Sequence, residues 1–161
     1  MVIVAIVVFI IFIILAHAFA PAGYRWKSET VSRLADSGHP HRWILKVGMV
    51  AYGMLLIAST SELSLLSLLV VIYGLGVIVT AIFTVEKYKS VHMFSIYVAG
   101  GALVVAMFRL SITGDIISLI CLACLLIAEI IFNIKSLKKW RGLSQRTVHL
   151  FTLIWLAAYG V

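Results

Sequence analysis

Residues 63–84 read LSLLSLLVVIYGLGVIVTAIFT, 22 consecutive positions without a charge. About 20 helical residues at a rise of 1.5 Å cross a hydrocarbon core roughly 30 Å thick, so a run of this length is the signature of a membrane span. Glu62 precedes the run, and VEKYKS, with Lys87 and Lys89, follows it. Basic residues collect on the cytoplasmic side of membrane helices, which places residue 84 inside and residue 63 outside.

The same pattern extends in both directions. Apolar segments cover 1–20, 43–59, 91–111, 115–134 and 143–161, with short polar links between them. All 13 Lys and Arg residues except Arg109 fall in links or helix ends on the side of residue 84. The reading is an all-α integral membrane bundle of six transmembrane helices in one domain, 1–161, or five if the last segment reaches only part way. Both termini are then outside, the basic loops are cytoplasmic, and the location is the cell membrane. Composition agrees: the chain is 63% hydrophobic and 12% charged, against about 45–50% and 25% in soluble domains.

The net charge of +7 would point to nucleic acid in a soluble protein. Spread as basic residues beside spans, it instead sets topology and attracts anionic lipid, so nucleic-acid binding is excluded. The first segment contains Ala16-His17-Ala18, which looks like a signal-peptidase site. It lacks a basic n-region, however, and five basic residues follow it, so it reads as a retained helix. The link 21–42, PAGYRWKSETVSRLADSGHPHR, is broken by Pro21, Gly23, Gly38 and Pro40. Ser28 before Glu29 is a helix start within it, consistent with a short interfacial helix, and Tyr24 and Trp26 suit headgroup depth.

Few residues offer chemistry. His17, His39, His41, His92 and His149 lie near the cytoplasmic boundary, without HExxH or i, i+4 ligand spacing, and no metal site or cofactor is assigned. Glu129 is an intramembrane acid sharing a helix face with Asn133, which makes it a candidate for a buried pair or for a proton or substrate role. Arg109 and Asp115 bracket an outer turn and are expected to form an ion pair. Cys121 and Cys124 read as small apolar residues, since a thiol relay needs a second cysteine pair. Gly48, Gly53, Gly74, Gly76, Gly100 and Gly101 permit close helix crossings or leave a lipid-accessible groove.

Three stretches together resemble the domain of unknown function 998 family of prokaryotic membrane proteins. They are TVSRLADSG at 30–38 followed by VGMVAYG, GLGVIVTAIFT at 74–84 with His92 opening the next helix, and GLSQR at 142–146. Their order and spacing agree over nearly the whole chain. Thr84 stands where family members often have Pro, and Arg33 where they often have Asp. The resemblance implies a multi-helix bundle with its marked residues on one face, and it supplies no activity.

The topology puts these stretches on the cytoplasmic side, where Ser32, Arg33, His92, Gln145 and Arg146 are expected to form one cluster suited to phosphate or carboxylate. The leading functional expectation is a non-catalytic membrane protein that binds an anionic lipid headgroup or a membrane partner at its cytoplasmic face. A role as accessory subunit of a larger membrane complex, or as a homo-oligomer, fits its small size. The alternatives are a membrane-embedded metal-dependent hydrolase and a small oligomeric transporter using Glu129.

Overall fold

A computed structural model describes residues 1–36, 38–62 and 64–159. Ser37 of the first matching stretch, Leu63 at the start of the third segment, and residues 160–161 of the sixth lie outside the described residues. Six α-helices follow one another: α1 (Val2–Ala18), α2 (Arg42–Ser59), α3 (Leu65–Ile82), α4 (Lys89–Ser111), α5 (Ile116–Asn133) and α6 (Arg141–Tyr159). Two short 3-10 turns, Val31–Ala35 and Lys135–Trp140, interrupt the first and last basic links. No strand occurs among the described residues.

Helices α2 to α5 are each long and apolar enough to cross a membrane. Helix α1 is equally apolar but has 17 residues, about 26 Å at the helical rise. Helix α6 has 19 residues and opens with Arg141, Gln145, Arg146 and His149, which make its first two turns polar. The outward-facing side chains are those of a body solvated by lipid: Ile3, Ile10 and Ile14 on α1, and Ile116, Ile120 and Ile127 on α5, are all well exposed. A water-soluble bundle would place polar residues on these faces. The protein is a helical membrane bundle.

Neighbours in sequence are neighbours in space. Helix α1 packs on α2, α2 on α3, α3 on α4, and α5 on α6, while α4 meets α5 and α1 meets α6 more lightly. Helices α2 and α3 approach backbone to backbone. A Cβ on Gly53 would stand 2.6 Å from the Gly74 carbonyl oxygen, and one on Gly74 would stand 2.9 Å from that of Gly53. Beside this crossing, Phe9 stacks on Tyr52 with ring centroids 4.5 Å apart, and the Tyr52 and Tyr73 hydroxyls lie 3.4 Å apart. Trp155, fully buried, donates its indole N–H to Ser118 Oγ at 2.8 Å and ties α6 to α5.

Side chains set two helix starts. Ser64 accepts from the Ser67 amide at 3.0 Å, and Asp115 accepts from the Ser118 amide at 2.7 Å. Each satisfies an amide that the first helical turn leaves without a partner. The α4–α5 turn closes through Gly114 at φ +91°, a left-handed conformation that glycine adopts without steric cost.

At the basic end, the link after α1 folds back into the bundle. Val31, Leu34 and Ala35 of its 3-10 turn are buried against Ala16 of α1 and Ile44 and Leu45 of α2, and form a small second core. The segment that the sequence marked for a short interfacial helix thus contributes one 3-10 turn whose apolar side faces protein.

Candidate functional site

Arg146, one turn and a half into α6, organises the basic end. Its Nη1 donates to the carbonyl oxygens of Trp26 at 2.7 Å, Gly142 at 2.7 Å and Glu29 at 3.1 Å. Its Nη2 lies 2.8 Å from Tyr24 Oη and 2.6 Å from His17 Nε2. Tyr24 Oη in turn faces the carbonyls of Glu29 and Thr30, and burial pushes its phenol up. Gly142 lets this happen, because a Cβ there would collide with the carbonyls of Trp26 and Glu29. Two more bonds continue the seam: Gln145 Oε1 accepts from the Val31 amide at 2.6 Å, and the Lys27 carbonyl accepts from the Leu143 amide at 3.0 Å.

The other residues marked from sequence have their own local partners. Arg33 pairs with Glu29 at 2.8 Å, Ser32 Oγ donates to Thr30 Oγ1 at 3.0 Å, and buried His92 donates from Nδ1 to the Phe83 carbonyl at 2.7 Å. The structure joins Gln145 and Arg146 to the 24–31 segment, while His92 pins the start of α4 to the end of α3. Both terminal nitrogens of Arg146 are bonded to protein oxygen and nitrogen acceptors.

A cavity of about 300 Å³ occupies the basic-end half of the bundle and takes lining from all six helices. Its floor is apolar, with Leu45, Met49, Val77, Leu103 and Leu125 among the walls. Ser32, Thr80, Glu129, Gln145, His149 and Thr152 supply the polar groups. Thr80 Oγ1 is already bonded to the Gly76 carbonyl and lies 2.9 Å from Ser95 Oγ. The exposed lining residues, Ile96, Tyr97, Gly101, Leu126 and Glu129, all belong to α4 and α5. The cavity therefore opens sideways, through the seam where these two helices pack lightly. Gly100 and Gly101 line this side of the cavity, and a Cβ at either meets nothing within 4 Å.

Glu129 stands at the mouth. Asn133 Nδ2 donates to the Glu129 backbone carbonyl at 2.8 Å, so the expected i, i+4 neighbour bonds to backbone and leaves the carboxylate to the opening. At the other end of the bundle the expected Arg109–Asp115 ion pair does not form. Asp115 caps α5 and accepts from the Tyr159 hydroxyl, contacts that hold its carboxyl below the usual range. The physical reason is geometric: the cap turns Asp115 toward α5 and α6, while Arg109 projects from the last turn of α4. Among the described residues no three His, Cys, Asp or Glu side chains converge as a metal site. Cys121 is buried and Cys124 half-buried, both as free thiols.

Gln145 and Arg146 are legible in the sequence as marked residues of the basic end, whereas the walls of the cavity are not. The adjacent glycines Gly100 and Gly101 are its legible trace, as small residues that permit close crossings or leave a lipid-accessible groove.

Fold and site together define an all-α membrane bundle whose six helices surround a cavity open on its flank. Residues 3–161 match the family described as Protein of unknown function (DUF998), and the chain belongs to that family. No curated protein and no solved structure matches it.

Proposed function

We propose that the protein binds one amphipathic, lipid-like molecule in the central cavity, which the molecule enters from the bilayer between α4 and α5. The observation carrying this reading is the lateral opening of an apolar cavity at Gly100 and Gly101. Its volume is at the lower end of small-molecule pockets, about 300 Å³ upward, and its chemistry matches them: apolar walls with a few polar groups. The tail lies between α4, α5 and α6. The polar end lies toward Ser32, Gln145 and Glu129, at the end of the bundle that carries the basic links. This keeps the expected headgroup on the cytoplasmic side but moves it away from Arg33, His92 and Arg146, whose donors serve the fold.

The topological part of the reading is six crossings with both termini outside. Its support is the charge bias alone, with Arg109 the sole basic residue at the opposite end. The accessory-subunit role rests on small size and scarce polar surface, and it predicts loss of the chain when a partner is absent.

Mass spectrometry of material retained by the protein in mild detergent, compared with Gly100→Phe, tests the binding claim. A Cβ at 100 meets nothing within 4 Å, so a Phe there is expected to fill the opening. The wild type should carry a stoichiometric amphiphile that the variant lacks. Equal retention by both, or none by either, removes the proposal.

A second reading, transport of the same molecule, is favoured by the Glu129 carboxylate at the mouth, where an ionisable group in a membrane span marks pathways. Flux in vesicles unaffected by Glu129→Gln rejects it.

A further inference from the structure

A second concavity of about 440 Å³ lies on the opposite face of α5. The central cavity takes Leu125, Leu126 and Glu129 from that helix, whereas this groove takes Cys124, Ile127 and Ile131. Leu137 and Trp140 of the Lys135–Trp140 turn close its basic end, and Phe151 of α6 forms part of its far wall. Leu137 and Trp140 both line the groove, while Lys135 and Lys138 are exposed beside it.

The groove is apolar and its two hydroxyls are occupied. Ser144 Oγ donates to the Ala128 carbonyl and Thr147 Oγ1 to the Leu143 carbonyl. It therefore offers an occupant shape and apolar surface rather than hydrogen bonds. Its rim differs. Lys135, Lys138 and Lys139 are all exposed, and no acid occurs anywhere in 130–161. Arg141 does not add to this rim. It donates from Nε to the Phe132 carbonyl at 3.1 Å and stacks over the Phe132 ring at 5.5 Å, which orders the turn. Lys139 Nζ stands 5.9 Å from the centroid of the Trp140 ring, the residue type that anchors at the headgroup level.

We propose that this groove seats an acyl chain of an anionic phospholipid whose headgroup is held by Lys135, Lys138 and Lys139. An apolar slot that ends at an uncompensated basic rim is complementary to a molecule with a long tail and a negatively charged head. Basic residues at a membrane surface each strengthen anionic-lipid attraction by roughly fivefold. The site is independent of the central cavity and of what that cavity binds.

Trp140 supplies the probe. The intact protein is placed in phosphatidylcholine vesicles containing a minor share of phosphatidylglycerol with brominated acyl chains, and tryptophan quenching is compared with the same share of brominated phosphatidylcholine. The expected result is excess quenching by the anionic lipid, lost in Trp140→Phe and in the combined Lys135→Gln, Lys138→Gln, Lys139→Gln variant. Arg33→Gln, which removes a basic residue already paired with Glu29, should keep the excess. No excess in the wild type, or an excess that survives the triple variant, overturns the proposal.

Discussion

Arg146 Nη2 lies 2.6 Å from His17 Nε2, across 129 residues of chain. His17 Nδ1 lies 2.8 Å from the Ile13 carbonyl, so it donates there and leaves Nε2 as the acceptor for the guanidinium. The imidazole is thus neutral and oriented by its own helix. One side chain from α6 joins the end of α1, the first basic link and the start of α6.

Because this junction uses the planar fork of a guanidinium, lysine should not replace it. Hydrogen bonds to charged groups contribute about 1.5–3 kcal/mol each when partners are buried. Arg146→Lys should destabilise the fold by roughly 2–4 kcal/mol, read as a lower melting temperature in mild detergent. Backbone hydrogen exchange over 26–31 should rise at the same time. Unchanged exchange there would mean that the segment is held by other contacts.

Glycine positions give a paired contrast. Gly142→Ala puts a methyl group against the carbonyls that Arg146 binds, and overpacking of this kind costs about 1–3 kcal/mol. Gly101→Ala meets open space and should be neutral or raise stability by up to about 1 kcal/mol through helix propensity. Thermal melts of both variants check the order, and a reversed order contradicts the packing described.

At the opposite end, Asp115 acts as a helix cap and as acceptor for Tyr159. Asp115→Ala should lower the melting temperature and loosen amide protection at Ser118. Arg109→Ala should leave both unchanged. If the two variants lose stability equally and non-additively, an Arg109–Asp115 ion pair is present after all.

Asp36, in the first basic link, has its carboxyl raised above the ordinary 3.8, first by burial and then by the charge of Glu86, with Arg33, His39 and His92 opposing. An acid raised in the folded state destabilises it where both states are ionised, and that penalty disappears as pH falls through the folded value. Asp36→Asn should therefore raise the melting temperature at neutral pH, by an amount that shrinks on acidification. A difference that grows toward acid pH would show the opposite sign of shift.

Hydropathy runs made the helices legible almost to the residue. The run at 63–84 contains α3 at Leu65–Ile82, and that at 115–134 contains α5 at Ile116–Asn133. Helices extend past the apolar runs where polar residues join them. Helix α4 starts at Lys89 rather than 91 and α6 at Arg141 rather than 143, because a basic side chain at a helix end reaches water while its backbone stays helical. The family resemblance rested on the same runs and the links between them.

The site was less legible. Gln145 and Arg146 looked like free ligands because nothing in GLSQR shows that carbonyls of residues 26 and 29, far away in sequence, will face them. The small residues allow a lipid-accessible groove, but its walls are hidden in the sequence for a related reason. Helix α4 has apolar residues around most of its circumference, so its pattern does not say which of them line the cavity with α5 and α6. Local composition encodes insertion, but helix rotation is set by partners.

The most direct test of a laterally open cavity is photo-crosslinking in vesicles with a long-chain alcohol carrying a diazirine along its tail, with the modified residues mapped by mass spectrometry. The account predicts adducts on cavity walls such as Val104, Leu125 and Thr152, lost in Gly100→Phe. Adducts confined to outward faces such as Ile10, Ile120 and Ile154, unchanged in that variant, would contradict it.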